Sequence, residues 1–429
     1  LTLDHWLQRV ETLHARSIDL GLERVARVAR LMGFTQTDKG IRLGMPAIVV
    51  GGTNGKGSTC AMLESILMQS GFRTAMYTSP HLIHFNERLR IDGHLIDDAS
   101  LVAAFGRVEA ARGDTALTYF EFTTLAILDI IRRADVDVAI LEIGLGGRLD
   151  AVNIVESDCA VLVSVDLDHQ EFLGDTREAI GWEKAHIARR DCPFICADPR
   201  PPETVEQVAR AIGADIWRFG VDFNFQGDRQ QWSWAGRGQR RNAMAYPALR
   251  GVNQLINASA ALAALSALRH TLPVTQGAVR SGLALVEIPG RFQVLPGQPA
   301  VILDVAHNPH AAAVLAANLD QMGFFPKTIG VAGILSGKDA SEIFRRLGDR
   351  IDHWCLAGLG GPHAGARTRP SEDLLAALRE VHPQADAICF STPSEAYRHA
   401  RGLAGPNDRI VVFGSFVTVA EIEHLRHAR

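Results

Sequence analysis

In "AIVVGGTNGKGSTCAMLESILMQSG", residues 47–71, an apolar run, a glycine-rich turn and a helical pattern follow one another. This order leaves few architectures open. A short run with no polar alternation is a strand buried on both faces, and such strands belong to parallel sheets covered by helices. The next segments repeat the unit. "RTAMYTSP" predicts a second strand, "FEFTTLAILDIIRRA" a helix, "VDVAILEIGLGG" a buried strand ending in glycines, and "CAVLVSVDLDH" a strand ending in charge. Alternating strands and helices predict βαβ units and an α/β fold. Residues 1–45 predict amphipathic helix, with Leu20, Leu22, Val25, Val28 and Leu31 at helical spacing.

The stretch 221–250 breaks the rhythm; it is polar, and Trp232 and Trp234 flank a serine, which suggests a β-hairpin insert of no assigned role. An alanine-rich helix, "NQLINASAALAALSAL", follows. "ALVEIPGRFQVLPGQPA" reads as a domain junction, and "AVILDVAHNPHAAAVLAANL" restarts a strand–turn–helix unit; "TIGVAGIL" and "RIVVFGSF" predict further strands. With 429 residues, two domains are expected. The expected division is a P-loop-containing parallel-sheet domain over 1–295 and a smaller Rossmann-like α/β domain over 296–429. Hydrophobic residues make up 47%, enough for full cores, and the net charge of −4 points to neither nucleic acid nor an acidic membrane surface. Only Cys192 and Cys196 of the six cysteines lie close together, so buried free thiols in a reducing cytoplasm are expected. No leader pattern opens the sequence given, and no apolar run reaches transmembrane length.

The loop at 51–59 departs from the Walker A pattern G-x-x-x-x-G-K-[ST]. Val50 stands where the first glycine belongs, and Gly57 where the metal-binding hydroxyl belongs. It still has what a phosphate needs: glycines that turn backbone N–H groups inward, a helix N-terminus, and Lys56 for the terminal phosphates. Ligands in open parallel sheets sit beyond the carboxyl ends of strands. Ser79 and His81 end one strand, Glu142 another, and Asp166, Asp168 and His169 a third. Hard oxygens from Ser79 and Glu142 suit magnesium, whose shell phosphates and water complete. His169 is a less usual magnesium ligand and reads equally as a structural histidine.

"GTNGKGS", "TSPHL…NERLRIDG", "LEIGLGGRLDAVN", "DLDHQEFLGDTREAIGWEKA", "PGRF" and "DVAHNPHA" occur in that order. Together they resemble the folylpolyglutamate synthase/dihydrofolate synthase family, of the bifunctional bacterial type, within the Mur-ligase-like ATP-dependent amide ligases. The resemblance implies that ATP phosphorylates a carboxylate and that the amine of L-glutamate attacks the acyl phosphate. The carboxylate belongs to dihydropteroate or to the terminal glutamate of a reduced folate. It implies ATP contacts at Gly52, Thr53, Asn54, Gly55, Lys56, Gly57 and Ser58, with Thr59 also available to phosphate. One magnesium falls on Ser79 and Glu142 and a second on His169. Lys184 matches a lysine carried as N6-carboxylysine, although without the family it reads as a surface helix residue. Asn257, Arg291 and Asp304 match residues expected to clamp ATP from the second domain, with closure between domains. "SIDLGLERV" resembles the form that accepts dihydropteroate. Ile18, Asp19 and Leu20, then Phe120, Glu121 and Phe122, then Asp150, Ala151 and Asn153 are candidates for the pterin pocket; Phe120 and Phe122 read equally as core aromatics. His169 and His307 are guesses for the group that takes the amine's proton. A cytoplasmic monomer is expected. Two rivals are a peptidoglycan-type Mur ligase, with the same loop but a nucleotide-sugar substrate, and a non-catalytic nucleotide-binding regulator.

Overall fold

Strand β3 (Ala47–Gly51), buried at every position, lies inside the larger sheet, and its helix Lys56–Gln69 starts directly after the glycine-rich turn. The computed structural model describes every residue except Ser17, Arg229, Val252, 361–367 and 428–429. Two compact units emerge: Leu1–His81 with Phe85–Ala248 and Gln254–Val286, and Leu82–His84 with Leu249–Asn253 and Glu287–Arg429.

In the first unit a hairpin of β1 (Thr35–Thr37) and β2 (Gly40–Arg42) precedes β3. The amphipathic reading of residues 1–45 is therefore corrected in part, because among the described residues helices occupy only Leu3–Glu11 and Glu23–Leu31. Then come β4 (Thr74–Tyr77), β5 (Leu89–Ile91), β6 (His94–Leu95), β7 (Val138–Glu142), β8 (Cys159–Leu162), β9 (Pro193–Cys196) and β10 (Asp215–Arg218). They join β3 in one sheet of order β10-β9-β8-β3-β7-β4-β5-β6. Strands from β10 to β4 run parallel; β5 and β6 are antiparallel additions at one edge. The chain leaves β3 for β4 on one side and later returns to β8 on the other, so the order reverses around β3. Crevices for ligands form at such reversals.

Residues 221–250 hold three strands, not a lone hairpin: β11 (Phe223–Gly227), β12 (Trp232–Gly236) and β13 (Gln239–Met244), an antiparallel meander with Trp232 and Trp234 buried. The second unit carries β14 (Gln293–Leu295), β15 (Ala300–Asp304), β16 (Thr328–Ala332), β17 (His353–Ala357), β18 (Ala387–Phe390) and β19 (Arg409–Phe413) in the order β14-β15-β19-β16-β17-β18. All are parallel except β14 against β15. Helices cover both faces: Phe344 and Leu315 belong to one core cluster, Tyr397 and Ile422 to another.

Candidate active site

Strands β8, β3, β7 and β4 are consecutive neighbours and parallel, so their carboxyl ends share one edge of the sheet. That edge receives Ser164 to His169, the glycine-rich loop, Glu142 and Ser79 respectively. Hydrogen bonds tie the loop to the end of β8. Thr53 N donates to Ser164 O (2.8 Å), Thr53 Oγ1 to Asp166 O (3.1 Å), and Asn54 N to Ser164 Oγ (3.0 Å). Gly55 opens the helix at φ 87°, a conformation that favours glycine, and a Cβ there would stand 2.5 Å from Asn257 Oδ1. Asn257 thus lies in the first unit, against the loop; the expectation that it reaches ATP from the second domain is corrected. Thr59 is also corrected: it is fully buried and its hydroxyl donates back to Gly55 O (3.0 Å), a turn of its own helix away.

Lys56 Nζ donates to Gly52 O (3.1 Å) and Thr53 O (3.3 Å), folded over its own loop. Glu142 is buried, and its Oε2 accepts from Ser79 N (2.9 Å). Its Oε1 lies 4.0 Å from where a Cβ on Gly57 would stand. The carboxylate therefore lies between Ser79 and the phosphate loop, and its hard oxygens suit magnesium. His169 follows β8 and opens the short helix Gln170–Leu173. It holds a left-handed backbone (φ 50°) with its N–H on Asp168 Oδ1 (2.9 Å). A non-glycine residue in that region is uncommon and marks a site held by its surroundings.

Lys184 is buried on helix Arg177–Ala185, and its Nζ donates to Gly52 O (3.1 Å), the same carbonyl that Lys56 uses. Burial first, and the Lys56 cation second, push its amine down to about 7. Gly147 allows this approach, because a Cβ there would meet Glu183 O at 2.7 Å and Lys184 Cα at 2.9 Å. Arg148 anchors the same contact through Glu183 (2.9 Å) and over the Trp182 ring (4.9 Å).

The pterin candidates divide. Phe120 lies over Gly144, where a Cβ would meet its ring at 2.5 Å, so it borders the turn after β7. Phe122 is corrected: it is fully buried against Trp6 and Phe105, a core aromatic. Glu121 closes the capping box with Thr118 and takes Arg24, which also bonds Asp19 (2.6 Å). One guanidinium thus joins two of the three candidate groups, while Ile18 is exposed and Leu20 half-buried beside it. Asp150, Ala151 and Asn153 are buried. Asp150 accepts from Leu145 N (2.8 Å) and Val152 N (2.9 Å), and burial raises its carboxyl to about 6. The Asn153 amide is occupied by Arg148 O, His186 O and Arg189. Their side chains shape the turn from within.

Arg88 of "NERLRIDG" was not singled out by its residue type. It is buried, with Nε on His81 Nδ1 (2.9 Å), its guanidinium over Phe85 (5.3 Å) and Tyr119 (5.7 Å), and Nη1 without a hydrogen-bond partner among the described residues. The only sequence signal was an arginine two residues from a strand's central position.

In the second unit Asp304 ends β15 and accepts from Ala306 N (2.8 Å) and Phe292 N (3.0 Å). Burial raises its carboxyl to about 6 against the pull of Arg291, whose guanidinium rests over Phe416 (5.3 Å). His307 Nδ1 faces Val305 O (2.9 Å), and Asn308 caps helix Pro309–Gln321.

A phosphate loop with a carboxylate–serine pair beside it and a buried lysine bonded to it suits a nucleoside triphosphate with a divalent metal ion. The Mur ligase middle domain matches residues 50–265, and the Mur ligase, glutamate ligase domain matches 290–416. The Escherichia coli (strain K12) dihydrofolate synthase/folylpolyglutamate synthase is 40% identical over 427 residues, covering 100% of this chain and 96% of its own. The Haemophilus influenzae enzyme of the same name is 38% identical, covering 98% and 96%. E. coli FolC solved with DHPP and ADP superposes with a TM-score of 0.92 at 39% identity, over 100% of this chain and 98% of that one. The Yersinia pestis bifunctional enzyme with AMPPNP and Mn gives 0.89 at 40%, over 100% and 98%. The chain belongs to the dihydrofolate synthase/folylpolyglutamate synthase family of Mur-type ATP-dependent amide ligases.

Proposed function

We propose that this chain joins L-glutamate to dihydropteroate, giving dihydrofolate, and to the terminal glutamate of reduced folates, each at the cost of ATP. The observation that carries it is the meeting of the loop, Glu142 and Ser79 on adjacent strand ends, with Lys184 bonded to the loop from below. The substrate carboxylate attacks the γ-phosphorus and ADP leaves. The glutamate amine then attacks the acyl carbon and phosphate leaves. No side chain forms a covalent bond to substrate, so the chain's contribution is position, charge and exclusion of water.

Lys56 leaves its own loop carbonyls for the terminal phosphates, helped by the N–H groups of Gly55, Gly57 and Ser58 at the helix start. Ser79 and Glu142 would hold one magnesium and His169 a second, and the metal would supply positive charge against the triphosphate. Asn257, Arg291 and Asp304 are further nucleotide contacts. Lys184, with about half its amine neutral at pH 7, adds its lone pair to CO2 and loses a proton, and Lys56 favours the resulting anion. Arg88, a buried cation with one N–H that has no partner among the described residues, pairs the substrate carboxylate. The pterin ring packs near Phe120, with Ile18, Asp19 and Leu20 at its rim. The chain acts as a monomer in the cytoplasm, a compartment its six free cysteines suit.

Purified protein with ATP, magnesium and glutamate tests the reading. Phosphate release is expected only on adding dihydropteroate or a reduced folate, and release that depends on neither overturns it. Arg88→Met is expected to raise KM for dihydropteroate while leaving ATP affinity intact; an unchanged KM removes Arg88 from the carboxylate.

A further inference from the structure

His353 and Cys355 stand two residues apart on β17 and so face the same side of the sheet. Helix Pro393–Leu403 covers that side, with Ala396 and Ala400 in one core cluster with Cys355. His399 comes from the same helix, its ring 6.0 Å from that of His353 and 5.1 Å from Phe390. One donor atom from each of His353, Cys355 and His399 lies within 4.8 Å of the others. His353 is 7% exposed, and its Nε2 is buried with no hydrogen-bond partner among the described residues. Its Nδ1 donates to Asp386 Oδ2 (2.7 Å).

From this geometry we propose a transition-metal site at His353, Cys355 and His399, of the zinc type, with an open fourth position. A buried ring nitrogen without a partner is costly, and a cation on its lone pair removes the cost. The Asp386 carboxylate on the other nitrogen is the arrangement that orients metal-bound imidazoles and raises their basicity. Two imidazoles and a thiolate select zinc over magnesium. Bonds of about 2.0–2.3 Å put neighbouring donors about 3.5 Å apart, so a modest rotation of the exposed His399 closes the site. The cluster is not part of the ligand edge of its sheet. His353 pairs with Ile329, whereas Asp304 is level with Phe413 and Ala332, three residues or about 10 Å further along the strands. The bound ion therefore ties helix Pro393–Leu403 to β17 without touching the reaction.

Cobalt(II) titration of the metal-free full chain tests this, because a thiolate ligand adds a charge-transfer band that oxygen and imidazole ligands lack. One equivalent is expected to produce the band and zinc to bleach it. Cys355→Ser is expected to abolish it, Cys389→Ser to retain it, and His399→Gln, at an exposed position, to weaken cobalt binding at least tenfold with kcat unchanged. Zinc is expected to raise the Tm of the wild type and not of His399→Gln. No band in the wild type, or a band that survives Cys355→Ser, overturns the site.

Discussion

Lys184 shows how much one buried charge sets at the residue scale. Its amine sits near 7 in the fold and at 10.5 when free. Between those values the unfolded chain binds the extra proton, so stability rises with pH across that window. The burial penalty is complete below pH 7 and gone above 10.5. In CO2-free buffer, the urea stability of the wild type is expected to gain on the order of 2 kcal/mol between pH 7 and 9, at about 1.4 kcal/mol per unit. Lys184→Met is expected to show no such gain. Bicarbonate is expected to raise wild-type turnover. Glu142→Gln keeps an acceptor for Ser79 N but drops the anion, so its magnesium requirement is expected to rise about 10–100-fold in steady-state assays, with an unchanged circular dichroism spectrum. Lys56 and Glu142 were legible from the loop and the strand end. Lys184 is legible only through the family resemblance and Arg88 not at all, because burial, which distinguishes them from surface cations, is not a property of their residue type.

Among elements, the turn after β7 does more than connect. It presents Gly144 to Phe120 and Gly147 to the helix that carries Lys184. Gly147→Ala forces a methyl into the backbone of Glu183 and Lys184. A loss of about 1–3 kcal/mol in unfolding free energy is expected from denaturant titration, with reduced turnover although no ligand is touched. Wild-type stability in that variant would show that the helix can move away freely. The strand–turn–helix units were readable because a doubly buried strand needs an unbroken apolar run. The meander at 223–244 reads as a hairpin because Gly238, the turn between its second and third strands, stands among polar residues with no apolar alternation to announce β13. The two readings of Phe122, and the phosphate reading of Thr59, turn on a related limit: spacing says which face of a helix a residue occupies, not whether that face meets core or ligand.

For the whole molecule, each unit has its own hydrophobic clusters, around Phe105 and Leu141 in the first and around Phe344 and Val412 in the second. Two cores unfold as two cooperative units, so the calorimetric enthalpy is expected to exceed the van't Hoff enthalpy. AMPPNP with magnesium at 100 times its Kd is expected to stabilise the phosphate-loop unit by about 2.7 kcal/mol, an effect Lys56→Ala removes. Coincident enthalpies would mean that the two cores melt as one. The α/β class, the phosphate loop and the order of the family's motifs were set by sequence, because they depend on local periodicity and on contiguous residue types. Tertiary structure decided which strand ends are neighbours, that Asn257 lies against the loop, that Lys184 is buried on Gly52, and that two histidines and a cysteine 46 residues apart at their extremes, 353 to 399, converge. These are matters of strand order and burial, which arise only when distant segments pack.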